Sequence, residues 1–292
     1  MSGTVWCCCS AGRPGTFVTK TLATLARGGF NDSLWLIVPH GEQAVYDMAV
    51  AGKPVHCMVR EAPRGLTNQR RFFREMMLPG TEIIFIDDDI EAIKVKTPTG
   101  LIHVRNVHHL ADYVFQLMKY KGDDCLLAGV YPVANRLWMS LRVSLNNAYI
   151  PGCLYFLLND ERVPEPLDDE LEDVNRQLKL QAAGLPTLRI NWIGVQTQYF
   201  KNPGGMQTLR TPERRKNAVT ETMMMYPTIV KRKIRRDGTP DIKFLQKPVY
   251  WQHAANSYAN ESMIQETEIH HTVSPPSAET AEMPESPEPA DM

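Results

Sequence analysis

The stretch "EIIFIDDDIEAIKVK", residues 82–96, decides the fold. Ile83, Ile84, Phe85 and Ile86 form a continuous apolar run, the pattern of a strand buried on both faces. Asp87, Asp88 and Asp89 follow at once, and apolar residues resume at Ile90 and Ile93. A buried strand that ends in three adjacent carboxylates needs a reason. Side chains alternate along extended chain, so Asp87 and Asp89 face one way and Asp88 the other. Adjacent carboxylates repel unless a cation or hydrogen-bond donors compensate them. One reading is a divalent cation, because hard oxygen ligands suit Mg²⁺ or Mn²⁺. The other is a helix-type cap, with Asp88 or Asp89 satisfying the segment that begins at Ile90, although one aspartate would suffice for that.

Working outward, "TVWCCCSA", "SLWLIVP" and "VHCMVRE" are further apolar strands. The stretches "TFVTKTLATLARGG", "EQAVYDMAVAG" and "TNQRRFFREMML" between them have helical spacing, the last capped by Thr67 or Asn68 and stopped by Pro79 and Gly80. The first ninety residues therefore alternate strand and helix, which predicts an α/β fold with a mostly parallel sheet covered by helices on both faces. Beyond them lie a helix, "VHHLADYVFQLMKYKG", strands "CLLAGVYPVAN", "PGCLYFLLND" and "TLRINWIGVQTQYF", and an amphipathic helix, "DDELEDVNRQLKLQAAG". This later part reads as α+β, with the regular α/β pattern ending near Ile150. One continuous domain over residues 1–271 is expected, in parts 1–90 and 91–248 with 249–271 as an extension.

The chain has 292 residues, 43% hydrophobic and 22% charged, and a net charge of −1 that hides a split. Residues 272–292 carry four Glu, one Asp, five Pro and no Lys or Arg, a composition that favours disorder. Residues 210–236 carry nine basic residues against two acidic. These include Arg210, Arg214, Arg215, Lys231, Arg232, Lys233, Arg235 and Arg236. They read either as a solvated helix face or as a surface for phosphates. No apolar run reaches membrane-spanning length and the N-terminus lacks a signal-peptide pattern, so neither membrane association nor secretion is expected. Six cysteines, three of them contiguous at Cys7 to Cys9, lack C-x-x-C spacing and read as buried, reduced thiols of a cytosolic protein.

Ligands bind an open α/β sheet beyond the carboxyl ends of its strands. The aspartates sit at one such end, and "SAGRPGT" at another, where Arg13 and Thr16 either meet nucleotide oxygens or belong to an ordinary Pro-Gly turn. "APRGLTNQRRFF" sets Arg64 and Gly65 before a helix N-terminus, an anion-friendly place, with Asn68 and Arg71 three apart on one face. Arg70, Arg71 and Arg74 read alternatively as a solvated face, a reading that stays open for Arg70 and Arg74.

In order, the R-P turn, "RGLTNQRRFF", "IIFIDDDI", "LLAGVYPVAN", "YIPGCLYF" and an acidic pair before an amphipathic helix resemble a GT-A fold (Rossmann-related) glycosyltransferase. The resemblance is to the TET-associated enzymes of bacteriophages and kinetoplastids, over about residues 4–245. It implies sugar transfer from a nucleotide-sugar, UDP-glucose, to the hydroxyl of 5-hydroxymethylcytosine or 5-hydroxymethyluracil in double-stranded DNA. The compartment implied is the phage-infected host cytoplasm, or the nucleus in a eukaryote. Carried over residue by residue, Asp89 is the principal ligand of Mn²⁺ or Mg²⁺ and Asp87 lies toward the donor. Arg13, Arg64, Asn68 and Arg71 are expected at the donor, and Glu172 or Asp173 is the general base, though an acidic first turn is also common on soluble helices. A third metal ligand is not evident; His253 is the candidate, and an isolated histidine is usually structural. Lys201 and Gly204–Gly205 suggest a loop over the diphosphate or a plain turn. Two other readings stay open: a glycosyltransferase with a different acceptor, and a nucleic-acid-binding module without enzymatic activity.

Overall fold

A computed structural model of the chain describes residues 3–165, 169–198, 211–235 and 237–251. In chain order, β1 (Thr4–Cys9) is followed by α1 (Pro14–Phe17), a π-helical turn (Val18–Leu22) and α2 (Ala23–Arg27), which form one continuous helical rod. Then come β2 (Ser33–Pro39), α3 (Gln43–Val50), β3 (His56–Ala62), α4 (Leu66–Met76) and β4 (Glu82–Asp87). The hairpin of β5 (Ala92–Lys96) and β6 (Leu101–His103) precedes α5 (Val107–Lys121), β7 (Leu127–Tyr131), β8 (Val143–Leu145) and β9 (Leu154–Leu158). Last are α6 (Glu172–Ala182), β10 (Thr187–Gln196), α7 (Pro212–Met225), β11 (Val230–Ile234), β12 (Pro240–Phe244) and β13 (Val249–Trp251).

The principal sheet runs in the order β13-β8-β10-β7-β9-β4-β1-β2-β3, with β5 and β6 branching from β10. Strands β3, β2, β1 and β4 are mutually parallel, as the apolar runs predict. β9 enters antiparallel between β4 and β7, and β10 lies parallel to β7. β9 and β10, which lie after Ile150, complete the same sheet. The expected mixed α/β architecture, a large and mostly parallel sheet with helices on both faces, is present.

Both faces of the central strands are buried, and the period of two sorts their side chains. Trp6 and Cys8 of β1 and Ile84 and Ile86 of β4 join one core with Phe17, Leu25, Leu110 and Val114 from the rod and α5. Cys7, Cys9, Ile83 and Phe85 join the opposite core with Phe73 of α4 and Leu180 of α6. None of the six cysteines is in a disulfide, and burial raises the thiols of Cys7 and Cys8 well above their usual range. A third, small core holds α6 against α7 and the β11–β12 hairpin through Leu171, Val174, Leu178, Ala218, Val219 and Val230. Among the described residues no helix is long and apolar enough to cross a membrane.

Candidate functional site

β1 leads to β2 and β3 on one side of the sheet and to β4 on the other, so the strand order reverses between β1 and β4. A crevice opens at such a switch point, outside the carboxyl ends of the strands. Arg13 follows β1 there and the three aspartates end β4 there, with Cys9 in register with Asp87.

The parity of β4 assigns the aspartates. Asp88 continues the face of Ile84 and Ile86. It is 1% exposed and receives a two-pronged bond from Arg13, Nε to Oδ2 at 2.7 Å and Nη2 to Oδ1 at 2.5 Å. Ser10 Oγ also donates to Asp88, and Tyr46 Oη lies 2.6 Å from Ser10 Oγ. Asp87 continues the face of Ile83 and Phe85 and accepts from Arg70 Nη2 at 3.0 Å, with about a third of its side chain (32%) still exposed. Asp89 accepts from Thr197 Oγ1 at 3.0 Å and lies 3.8 Å from Arg13 Nη1. The densely packed surroundings push the Asp87 carboxyl up to about 7; Arg70 pulls against this, while Asp89, Asp88 and Glu172 add to it.

The capping alternative does not hold for this turn. The amide of Ile90 is satisfied at 2.9 Å by Thr21 Oγ1, which in turn donates to the carbonyl of Asp87 at 2.6 Å. Thr21 lies in the π-helical turn, so the rod that packs on β1 also fixes the backbone under the aspartates. Neither Asp88 nor Asp89 is needed to cap Ile90.

Arg70 is the hub that sequence reading left undecided. It is buried in the first half of α4, and its Nη1 donates to Glu172 and its Nη2 to the Gly152 carbonyl at 2.7 Å as well as to Asp87. Leu66, Gln69, Arg70, Phe73 and Met77 recur at helical spacing, which turns Arg70 inward and Arg71 outward. That spacing was visible in the sequence; the buried Phe73 three residues on was the clue. Gln69, on the same face, bonds the carbonyls of Ser10 and Ile37, stapling the ends of β1 and β2.

The two acidic residues that open α6 differ in environment. Burial works to raise the Glu172 carboxyl, but Arg176 and then Arg70 outweigh it and hold the group below its ordinary value. Both guanidinia donate to Glu172 directly. Asp173 has the opposite balance. Burial and the adjacent Glu172 charge raise it, against bonds from the Tyr149 hydroxyl and the Val174 amide. The Gly152 amide approaches the same carboxylate at 3.2 Å. A Cβ at residue 152 would overlap the Glu172 carboxylate, so only glycine lets α6 come this close to the start of β9.

The other expected donor residues are less committed to the crevice. Arg64 is exposed and pairs with Glu42 at 2.6 Å, and Glu42 also accepts from the Gly12 amide, so Arg64 braces the Arg13 loop from outside. Asn68 donates to the Arg64 carbonyl at 2.9 Å and accepts from Arg71, which is half exposed. Neither Thr67 nor Asn68 caps α4. The helix begins after Gly65, whose φ of 117° suits glycine, and the Thr67 amide is satisfied at 2.7 Å by Asp169. The anion-friendly helix terminus thus already carries a carboxylate of the chain itself.

The basic stretch divides. Arg215 donates to the Glu170 carbonyl and to Asp241 at 2.8 and 2.7 Å, and Arg235 donates to the same Asp241 at 2.8 Å. These two hold α7 to the hairpin rather than facing a ligand. Lys231, Arg232 and Lys233 lie exposed on β11, opposite Lys243, Ile242 and Asp241, and Arg214 is in the first turn of α7. Arg210, Arg236, His253 and the Lys201 to Gly205 loop lie outside the described residues.

Among the described residues no group of three His, Cys, Asp or Glu side chains could hold a metal unaided. A pair of carboxylates still fits Mg²⁺, which takes one or two protein carboxylates and draws its remaining ligands from substrate phosphates and water. Asp87 and Asp89 both keep part of their side chains exposed at the crevice, 32% and 15%, where a cation could reach them.

No protein-family model matches the chain, and no curated protein matches it. Among solved structures, it is similar to CMP:2-keto-3-deoxy-manno-octonic acid synthetase complexed with CTP, at 12% identity and a TM-score of 0.42, over 75% of this chain and 100% of that one. It is also similar to a mycobacterial protein, at 11% and 0.47, over 83% of each chain. A third is 4-diphosphocytidyl-2C-methyl-D-erythritol synthase from Anaerococcus prevotii, at 9% and 0.28, over 45% of this chain and 55% of that one. Identities and scores this low carry no chemistry across, and the site is understood from this chain's own residues.

Proposed function

We propose that the chain is a metal-dependent transferase that uses a nucleotide-sugar. On this reading it moves glucose from UDP-glucose to the hydroxymethyl oxygen of a 5-hydroxymethylpyrimidine in DNA. The observation that carries the nucleotide-sugar part is the sorting of three consecutive carboxylates at the switch point. Asp88 is spent on Arg13, and Asp87 and Asp89 remain at the crevice. Those two would hold Mg²⁺ or Mn²⁺, which when bound neutralises charge on the departing diphosphate. The acceptor part is supported by the resemblance and by the exposed Lys231, Arg232 and Lys233.

The chain's own residues divide the remaining work. Arg13, fixed by Asp88, closes the crevice on the β1 side. Arg70 holds Asp87 and Glu172 in place together. Asp173 takes the proton of the acceptor hydroxyl as its oxygen bonds to the anomeric carbon and the bond from that carbon to the diphosphate breaks. A carboxylate lifted above its ordinary value suits this task; Glu172, held low by two guanidinia, does not. Glu172 is accordingly a positioning residue.

The test is incubation with UDP-glucose and Mn²⁺ on hydroxymethylated and plain DNA, followed by digestion and nucleoside mass analysis. A hexose-sized mass increase on the hydroxymethylated base alone supports the reading. Hydrolysis of UDP-glucose with no mass change on either DNA would keep the nucleotide-sugar part and discard the DNA acceptor.

A further inference from the structure

The loop after β7, residues 132–142, is pinned at many points. The Ala134 amide donates to Val195 at 2.8 Å and the Ser140 amide to Asn191 at 3.1 Å. Lys96 Nζ donates to the carbonyls of Arg136 and Met139 at 2.9 and 2.5 Å, and Arg136 Nη2 donates to Pro98 at 2.9 Å. Yet the loop turns Leu137, 88% exposed, and Trp138, 62% exposed, toward solvent, with Leu141 also exposed. Large apolar side chains displayed on a braced loop contribute nothing to this chain's own core.

This loop is joined by contacts to the proposed base. Arg189 donates from Nε to Asn191 Oδ1 at 2.8 Å and from Nη1 to the Tyr149 carbonyl at 2.9 Å, and its guanidinium stands 4.9 Å over the Tyr131 ring. Tyr149 is partly exposed, and its hydroxyl donates to Asp173. From Cys125 to Asn159 the chain has no Asp or Glu, while Arg136 and Arg142 are present. Tyr131 ends β7, and β7 and β4 both run antiparallel to β9, so the loop leaves from the same carboxyl edge of the sheet as the switch point.

We propose that Trp138, Tyr149 and the arginines 136, 142 and 189 form an acceptor platform for a nucleic acid strand with unpaired, unstacked bases. Trp138 stacks on one base, and the strand runs on past Arg189 and Tyr149 toward Asp173. Aromatic faces alternating with arginine are how chains hold single strands, because every base has a stacking face and every linkage a negative charge. A protein partner would need apolar complementarity but not the arginines beside the exposed aromatic ring; that occupant is an outcome of the test. The identity of the base at Asp173 rests on the transferase reading, whereas strand binding does not.

The experiment is fluorescence anisotropy with a fluorescein-labelled oligodeoxythymidine strand and, separately, a labelled duplex, with no sugar donor present. Trp138→Ala should weaken binding of the single strand by about tenfold, a typical loss for one stacking aromatic. Trp138→Phe should retain most of the affinity, and the duplex should change by less than about threefold, because a paired base does not offer its face. Because Trp138 is exposed, thermal melting of both variants should match the parent. Single-strand affinity unchanged in Trp138→Ala would overturn the platform. So would sedimentation showing that the chain self-associates through this loop, with Trp138→Ala abolishing the association. Strand binding without any sugar transfer would keep the platform and remove the transferase reading. Sugar transfer with a KM for DNA untouched by Trp138→Ala would remove the platform alone.

Discussion

Arg70 Nη2 lies 3.0 Å from Asp87 Oδ1, and through this pair the tip of β4 is tied to the first turn of α6. The two acidic elements are 85 positions apart in sequence and would repel without the guanidinium between them. Arg70→Gln should therefore cost about 3–5 kcal/mol, the usual loss when one partner of a buried ion pair is removed. Chemical denaturation should show it as a lower midpoint with an unchanged slope.

Asp88 and Asp89 are adjacent but should respond differently. Asp88→Ala leaves Arg13 without its two-pronged partner and should destabilise the fold by about 3 kcal/mol or more. Asp89→Asn keeps an acceptor for Thr197 but loses the charge facing Arg13, and should cost about 1 kcal/mol or less while removing turnover. Equal stability losses in both variants would contradict the division.

Glu172 and Asp173 should have opposite effects on stability against pH. The folded Glu172 value is lowered, so its contribution is present above the ordinary carboxylate range and is lost as pH falls through the depressed value. Glu172→Gln should therefore destabilise at neutral pH, with the deficit shrinking in acid. The folded Asp173 value is raised, so the ionised group costs stability above that value. Asp173→Asn should melt at or above the parent temperature at neutral pH and converge with it in acid. It should also lower kcat by about a hundredfold or more.

The basic stretch should separate by salt dependence. Lys231→Glu with Lys233→Glu should reduce the slope of log affinity for DNA against log salt by about 2, roughly one for each lysine. Arg215→Ala should instead lower stability, because Arg215 joins α7 to Glu170 and Asp241.

Gly152→Ala should show that the close approach of α6 matters. The new methyl would overlap the Glu172 carboxylate and lie near Arg70, so a loss of about 1–3 kcal/mol is expected in a denaturation series.

Much of the sheet was legible because doubly buried strands are written as continuous apolar runs. The parallel pairing of β1 to β4 follows from alternating strands and helices, though their order does not, and the parity of "IIFIDDD" sets Asp88 apart from its neighbours. What the sequence hid depends on distant partners. Nothing local says that Thr21 holds the turn after β4, that Asp169 caps α4, or that Asp241 draws Arg215 and Arg235 inward. Arg70 lay between: helical spacing placed it inward, but a buried arginine is rare enough to read first as solvated.

On the proposed reading, Asp87 and Asp89 hold a divalent cation for a nucleotide-sugar reaction. The most direct measurement is UDP release from UDP-glucose, followed with hydroxymethylated DNA in Mn²⁺ and again after EDTA. Release that stops in EDTA, returns on adding excess Mn²⁺, and is absent throughout in Asp89→Asn is the predicted result. Release that continues at the same rate in EDTA, or that survives in Asp89→Asn, would contradict it.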